Sequence, residues 1–314
     1  MALASINPVD LGNDASFLYY KNIAKSKKGN RKKILYGDVT GDTIIYSEFY
    51  KKIEGKYRIY DENVKILELL VEDNYTEVDK EALHHCYDAS TKALKDLKRI
   101  IIESQSPFYQ SKCAYCGIDG IDGIDHYVPK EKFPEYAVHP HNLIPACSFC
   151  NGKKSDLFLD KNNKRSFFNP YFDEFNSNIL NLKIEYLEPT NSFSFKFKVE
   201  DDNYKSHIEK LGIICRYEKE AINIFDNLRI EIISSFEAHI DVYEKLSLYE
   251  KSFKIQIEKS KDIKLKERGI NSLDYLIYDS FYNSEYCNVA FFINHFGSRT
   301  AKLKLANKMA ISEN

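Results

Sequence analysis

Between about Asp61 and Ser104 the apolar residues recur three and four positions apart, first in VKILELLVED and then in KEALHHCYDASTKALKDLKRIIIES. That period lays one helical face against a core. Pro107 closes the segment, because proline cannot continue a helix. The same period returns from about Tyr204, and it predicts helices near 204–245, 248–268 and 271–309. Between the two helical regions, NLKIEYLEPTNSFSFKFKVED alternates apolar and polar residues on both sides of Pro-Thr-Asn, the pattern of a β-hairpin. Residues 1–50 show no sustained period, only a basic stretch and short β-like pieces such as DTIIYSEFY.

Residues 108–175 break the helical pattern. Five of the chain's eight prolines fall there (Pro129, Pro134, Pro140, Pro145 and Pro170), together with four cysteines. Such a stretch reads as a small, loop-rich module that carries a site. The organisation that follows is a mixed or helical region at 1–105, a site-bearing core at 106–175, and a hairpin with helices at 176–314. The fold class is α+β.

Composition narrows the function classes. At 43% apolar residues the chain can bury a real core, and with few Gly and Pro it needs no long disordered linker. No apolar run is long enough to span a bilayer, and MALASINPVDLGND has no leader-like apolar stretch, so a cytoplasmic protein with no membrane role is expected. A net charge of −2 argues against coating nucleic acid by bulk electrostatics. Any grip on phosphate must come from local patches or a partner. Lys25, Lys27, Lys28, Arg31, Lys32 and Lys33 form one candidate patch; Lys153, Lys154, Lys161, Lys164 and Arg165 form a looser second.

Seven cysteines, an odd number without a secretion signal, argue against a disulfide framework. Four of them make two C-x-x-C pairs, Cys113-Ala-Tyr-Cys116 and Cys147-Ser-Phe-Cys150. Each tight turn can aim two thiolates at one point about 2.3 Å from a metal, which suits tetrahedral Zn²⁺. Four thiolates fill that coordination sphere, so the expected zinc is structural. Cys86, Cys215 and Cys287 are expected to be buried small hydrophobes.

Around the knuckles run Asp125-His126-Tyr-Val-Pro129, then Asn142-Leu143, then Cys147-Ser-Phe-Cys150-Asn151-Gly-Lys-Lys154. Over roughly residues 110–158 this constellation resembles the HNH nuclease family. The resemblance implies a small ββα-metal core with Asp125 and His126 on its hairpin and Asn151 on the following helix. Phosphodiester hydrolysis needs an activated water and neutralised phosphate charge. A neutral imidazole can take the water's proton, so His126 is the candidate general base, and activity should fall below about pH 6.5 if that imidazole is unperturbed. The carboxylate of Asp125 and the side-chain carbonyl of Asn151 suit a hard cation, Mg²⁺ or Mn²⁺. By resemblance, Asn142 holds the loop and orients the histidine. Lys154, one helical turn after Asn151, and its neighbour Lys153 are candidates to touch nucleic-acid phosphates. His139 and His141 are loop residues with no assigned role; an auxiliary ligand or substrate contact is the alternative.

Farther on, Phe168-Asn169-Pro170-Tyr171-Phe172-Asp173 and IEKLGI (from Ile208) with Arg216 resemble the HNH nucleases of Septu-type and retron-linked anti-phage systems, which act beside a separate ATPase. The combined expectation is a metal-dependent HNH endonuclease acting on nucleic acid, DNA ahead of RNA. It would serve anti-phage defence with a partner ATPase or another protein of its operon. The alternatives are a stand-alone restriction-type nuclease and an inactive zinc-stabilised nucleic-acid-binding module.

Overall fold

The computed structural model describes residues 6–11, 16–175 and 177–312. The described residues divide into two compact units, one within 6–174 and the other within 175–312.

The first unit opens with helices α1 (Phe17–Lys25) and α2 (Gly29–Leu35), a hairpin of β1 (Gly37–Thr40) and β2 (Thr43–Tyr46), and the longer α3 (Glu48–Glu62). Ser47 caps α3 by accepting from the Tyr50 N–H, and the helix buries Tyr50, Ile53, Tyr57 and Tyr60, spaced three and four apart. Tyrosines therefore make much of this core: Phe17, Tyr20, Tyr50 and Tyr57 pack ring against ring with centroids 4.9–6.2 Å apart.

VKILELLVED, expected to be helical, is not. Apart from a single 3-10 turn at Leu67–Leu69 it runs irregularly, with Leu69 and Val71 exposed and only Leu67 fully buried. A short segment with one anchoring residue has no packed face to hold it helical. The following helices form as the pattern indicates. Thr76 and Asp79 make a reciprocal capping box that starts α4 (Glu77–Asp88), and Thr91 caps α5 (Lys92–Glu103), which splits the expected single helix at 89–91.

Strand β3 (Gly123–His126) pairs antiparallel with β4 (Leu143–Ala146), Asp125 opposite Ile144 and His126 opposite Leu143. Helix α6 (Ser148–Lys154) follows at once and packs on β3, completing a ββα unit. Val138 and Leu143 of this module join the same hydrophobic core as the N-terminal helices, so apolar packing runs unbroken past residue 105.

The second unit holds the expected hairpin, β5 (Leu180–Leu187) with β6 (Ser192–Val199), in which Asn191 takes the left-handed conformation that ends the turn. Helices α7 (Lys205–Lys210), α8 (Ile213–His239), α9 (Leu246–Arg268), α10 (Leu273–Tyr282), α11 (Val289–Phe296) and α12 (Arg299–Ser312) complete it. The alternating face of the hairpin packs the half-buried Phe193 and the buried Phe195 against Phe225 of α8 at 4.7 and 5.3 Å. Among the described residues, no helix is long and apolar enough to cross a membrane.

Candidate active site and metal centres

The two knuckles meet. The Sγ atoms of Cys113, Cys116, Cys147 and Cys150, all buried, lie within 4.8 Å of one another, with Cys116 and Cys147 4.0 Å apart. Bonds of about 2.3 Å at the tetrahedral angle would put sulfurs about 3.8 Å apart, so the cluster fits a thiolate-bound metal ion. Backbone amides face the sulfurs: Ile118 N–H donates to Cys116 at 3.5 Å and Cys150 N–H to Cys147 at 3.4 Å. The second of these bonds also caps α6, so the knuckle starts the helix that carries Asn151.

Asp125 and His126 end β3 side by side, 4% and 9% exposed. The His126 Nε2 lies 2.9 Å from the Ala137 carbonyl oxygen. A carbonyl can only accept, so Nε2 carries the proton and Nδ1 keeps the lone pair. Burial, with Lys130, Lys154 and Lys98 nearby, pushes the His126 pKa down to about 3. The ring edge packs on Tyr87 at 4.3 Å, and Tyr87 in turn donates to the Ile124 carbonyl. Lys98 and Lys130 both stand over the Tyr87 ring, at 3.9 and 5.5 Å, which makes the surroundings of His126 electropositive.

Asp125 Oδ2 accepts from the Tyr115 hydroxyl at 2.7 Å and lies 3.0 Å from the Lys154 ammonium. Burial raises this carboxyl's pKa, opposed by Lys154 and Tyr115. Here the expectation for Lys154 needs correction. Its side chain is fully buried, and its ammonium is shared between Asp125 and the His126 carbonyl at 2.7 Å, which leaves it no reach to an external phosphate. The cause is the pitch of α6, which turns Lys154 inward onto β3. Lys153, one residue earlier, is exposed beside Phe149. Asn151 is partly exposed on α6, with its backbone in the helix.

Asn142 is fully buried, and its amide is spent on the backbone. Nδ2 donates to Val128 O at 3.0 Å and Tyr136 O at 3.1 Å, while Oδ1 accepts from Val128 N–H at 2.7 Å and Tyr60 O–H at 3.2 Å. It thereby clamps the ends of the loop between β3 and β4, including the turn that leads to Ala137.

Sequence reasoning did not find Tyr60, Tyr87, Tyr115 or Lys98. Tyr60, Tyr87 and Lys98 lie on other elements, at ordinary core or helix-face spacings, and only the fold brings them to the site; Tyr115 lies inside the first C-x-x-C pair, where nothing in the spacing marks its contact with Asp125. Lys27 leaves the expected basic patch: it is buried and donates to the His85 carbonyl at 2.8 Å.

With this geometry in place, comparison with known proteins is informative. Residues 113–157 match the family model described as HNH endonuclease. The site is an HNH domain. The chain is 32% identical over 107 residues to the protein ea31 of Escherichia phage lambda, covering 33% of this chain and 35% of that protein. It is 24% identical over 181 residues to the Septu protein PtuB of Bacillus thuringiensis, covering 56% of this chain and 61% of that protein. The match thus spans about a third of the first relative and three-fifths of the second. No solved structure matches the chain.

Proposed function

We propose that this chain is a metal-dependent endonuclease that hydrolyses phosphodiester bonds, with DNA the favoured substrate. The observation that carries the reading is the fixed tautomer of His126. The Ala137 carbonyl holds the Nε2 proton, so the remaining nitrogen is a proton acceptor, and the preceding residue of the strand, Asp125, carries a buried carboxylate. His126 Nδ1 would take the proton of the attacking water. Asn142 and Tyr87 position that ring, the first through the loop and the second by contact. Asp125 and the side-chain carbonyl of Asn151 offer oxygen donors that suit Mg²⁺ or Mn²⁺; such an ion supplies charge neutralisation at the phosphate and the leaving oxygen. Lys154 and the Tyr115 hydroxyl oppose the rise that burial imposes on the Asp125 carboxyl's pKa. The four cysteines would hold a structural Zn²⁺ that fixes α6 and therefore Asn151. Lys98, Lys130 and Lys153 are the cations placed to meet nucleic-acid phosphates.

The likeness to a Septu protein, with a net charge of −2 that gives little bulk attraction to nucleic acid, supports a role in anti-phage defence with a partner, an ATPase of the same operon being the favoured one. The purified chain, with and without the products of neighbouring genes, should be incubated with plasmid, single-stranded DNA and tRNA. Mg²⁺-dependent cleavage of DNA, stimulated by a neighbour, is the expected result. Equal cleavage in EDTA would overturn the mechanism, and strong unregulated cleavage by the chain alone at cellular salt would overturn the partnership.

A further inference from the structure

A second group of ligand-type atoms lies elsewhere in the first unit. Asp61 Oδ1 is 3.3 Å from His139 Nε2 and 3.7 Å from His141 Nδ1, and all three atoms lie within 4.8 Å of one another. None of the three makes a hydrogen bond of good geometry, although Asp61 Oδ1 lies within ion-pair distance of both imidazoles, and the His139 side chain is wholly inaccessible. Buried polar atoms left unpaired are costly, so three that converge on one point need an account.

We propose that Asp61, His139 and His141 form a second metal site of the zinc class, distinct from both the four-cysteine cluster and the Asp125–His126 pair. The proposal stands whether or not the HNH site is active. Bonds of about 2.0–2.1 Å at the tetrahedral angle set ligand atoms about 3.3–3.4 Å apart, close to the two distances to Asp61. Two imidazoles with one carboxylate suit Zn²⁺ or a neighbouring transition metal better than Mg²⁺. The third partners of these ligands are in place. Asp61 Oδ2 accepts from Ser16 Oγ at 2.5 Å, and His141 Nε2, 3.2 Å from the Val9 carbonyl oxygen, must donate to it. With the ring neutral, as metal ligation requires, His141 Nδ1 carries a lone pair aimed at a carboxylate oxygen. Two acceptors facing each other in a buried pocket call for a cation between them. Asp61 also sits in the last turn of α3, which carries no basic residue, at the end where the helix dipole favours positive charge.

His139 joins as its Nδ1–H tautomer and gives up the long 3.3 Å contact from the His141 amide, while its ring stays packed at a tilt against Tyr60, centroids 4.1 Å apart. Three protein ligands leave a fourth position for water. The metal would tie the C-terminal turn of α3 to the loop just ahead of Asn142, whose Oδ1 already accepts from Tyr60 on the same turn.

The test is metal content of the full chain, loaded with Zn²⁺ under reducing conditions, desalted and measured by elemental mass spectrometry. Wild type should retain two equivalents of zinc. Asp61→Asn, which keeps the shape and the Ser16 contact, should retain one; His141→Gln should do the same and covers the case in which the first variant misfolds. With Co²⁺ in place of zinc, both variants should keep the thiolate charge-transfer absorption and lose the weaker visible bands of the nitrogen–oxygen site. A wild-type chain that takes up only one equivalent under Zn²⁺ and Co²⁺ titration, or folded variants that keep two, would overturn the proposal.

Discussion

At the scale of single residues, burial changes what the site's groups can do. Lys154 lies at the right spacing for a phosphate contact, yet its ammonium serves as the counter-charge of a carboxylate that is 4% exposed. Lys154→Met should therefore cost on the order of 3 kcal/mol in a denaturant melt, since it strands Asp125 as an uncompensated buried charge. A surface lysine that only touched substrate would leave stability alone and raise KM. His126 follows the same logic. An unperturbed imidazole would protonate near pH 6.5, but burial and the surrounding lysines lower its pKa to about 3. The sign matters here: a lowered histidine pKa extends the neutral, proton-accepting form to lower pH. In a pH series of kcat/KM on folded protein, no loss assignable to base protonation should appear between pH 7 and 5. A sharp single-proton limb at 6.5 would mean that His126 is solvated in the working enzyme.

Among the elements, those that local chemistry specifies were legible in the sequence. The hairpin at 180–199 alternates cleanly and turns at an asparagine, and the two C-x-x-C pairs announce a four-sulfur cluster through their spacing alone. Likewise the ββα order around Asp125, His126, Asn142 and Asn151 follows from a compact motif within one stretch of chain. Elements whose stability comes from distant packing were not legible. Helix α3 buries mostly tyrosines, which also suit strands, and VKILELLVED has a helical period but only one residue fully seated in the core. Tyr60 and Tyr87 reach the site from helices that no motif connects to it, and Tyr115 sits inside a C-x-x-C pair whose spacing marks only the sulfurs. The cluster at 113–150 also marks which element depends on metal. Because the Cys147 sulfur both joins the four-sulfur group and caps α6, Cys147→Ser should lower bound zinc and melting temperature together, and loosen Asn151 with them. A variant that kept its zinc and its melting temperature would show that the cysteines hold no structural metal.

Taken as a whole molecule, the chain joins a nuclease-type module, built into a tyrosine-rich helical unit, to a second unit of hairpin and helices with a separate aromatic core. Its charge balance offers nucleic acid little beyond local basic groups: the lysines near His126 and α6, and the exposed Lys25, Lys28, Arg31 and Lys33 of α1, α2 and the turn between them. In the function proposed above, a partner would capture substrate, and the chain's own Asp125–His126 pair would carry out the chemistry. The second of these is the central claim. Its most direct measurement is single-turnover cleavage of plasmid DNA in Mg²⁺ by wild type and His126→Ala, assayed with the partner present and with zinc content determined on the same samples. The account expects the variant to lose at least a hundredfold in rate, the low end of what a general base contributes, while it retains the zinc of wild type. A His126→Ala chain that cuts DNA at close to the wild-type rate would contradict it.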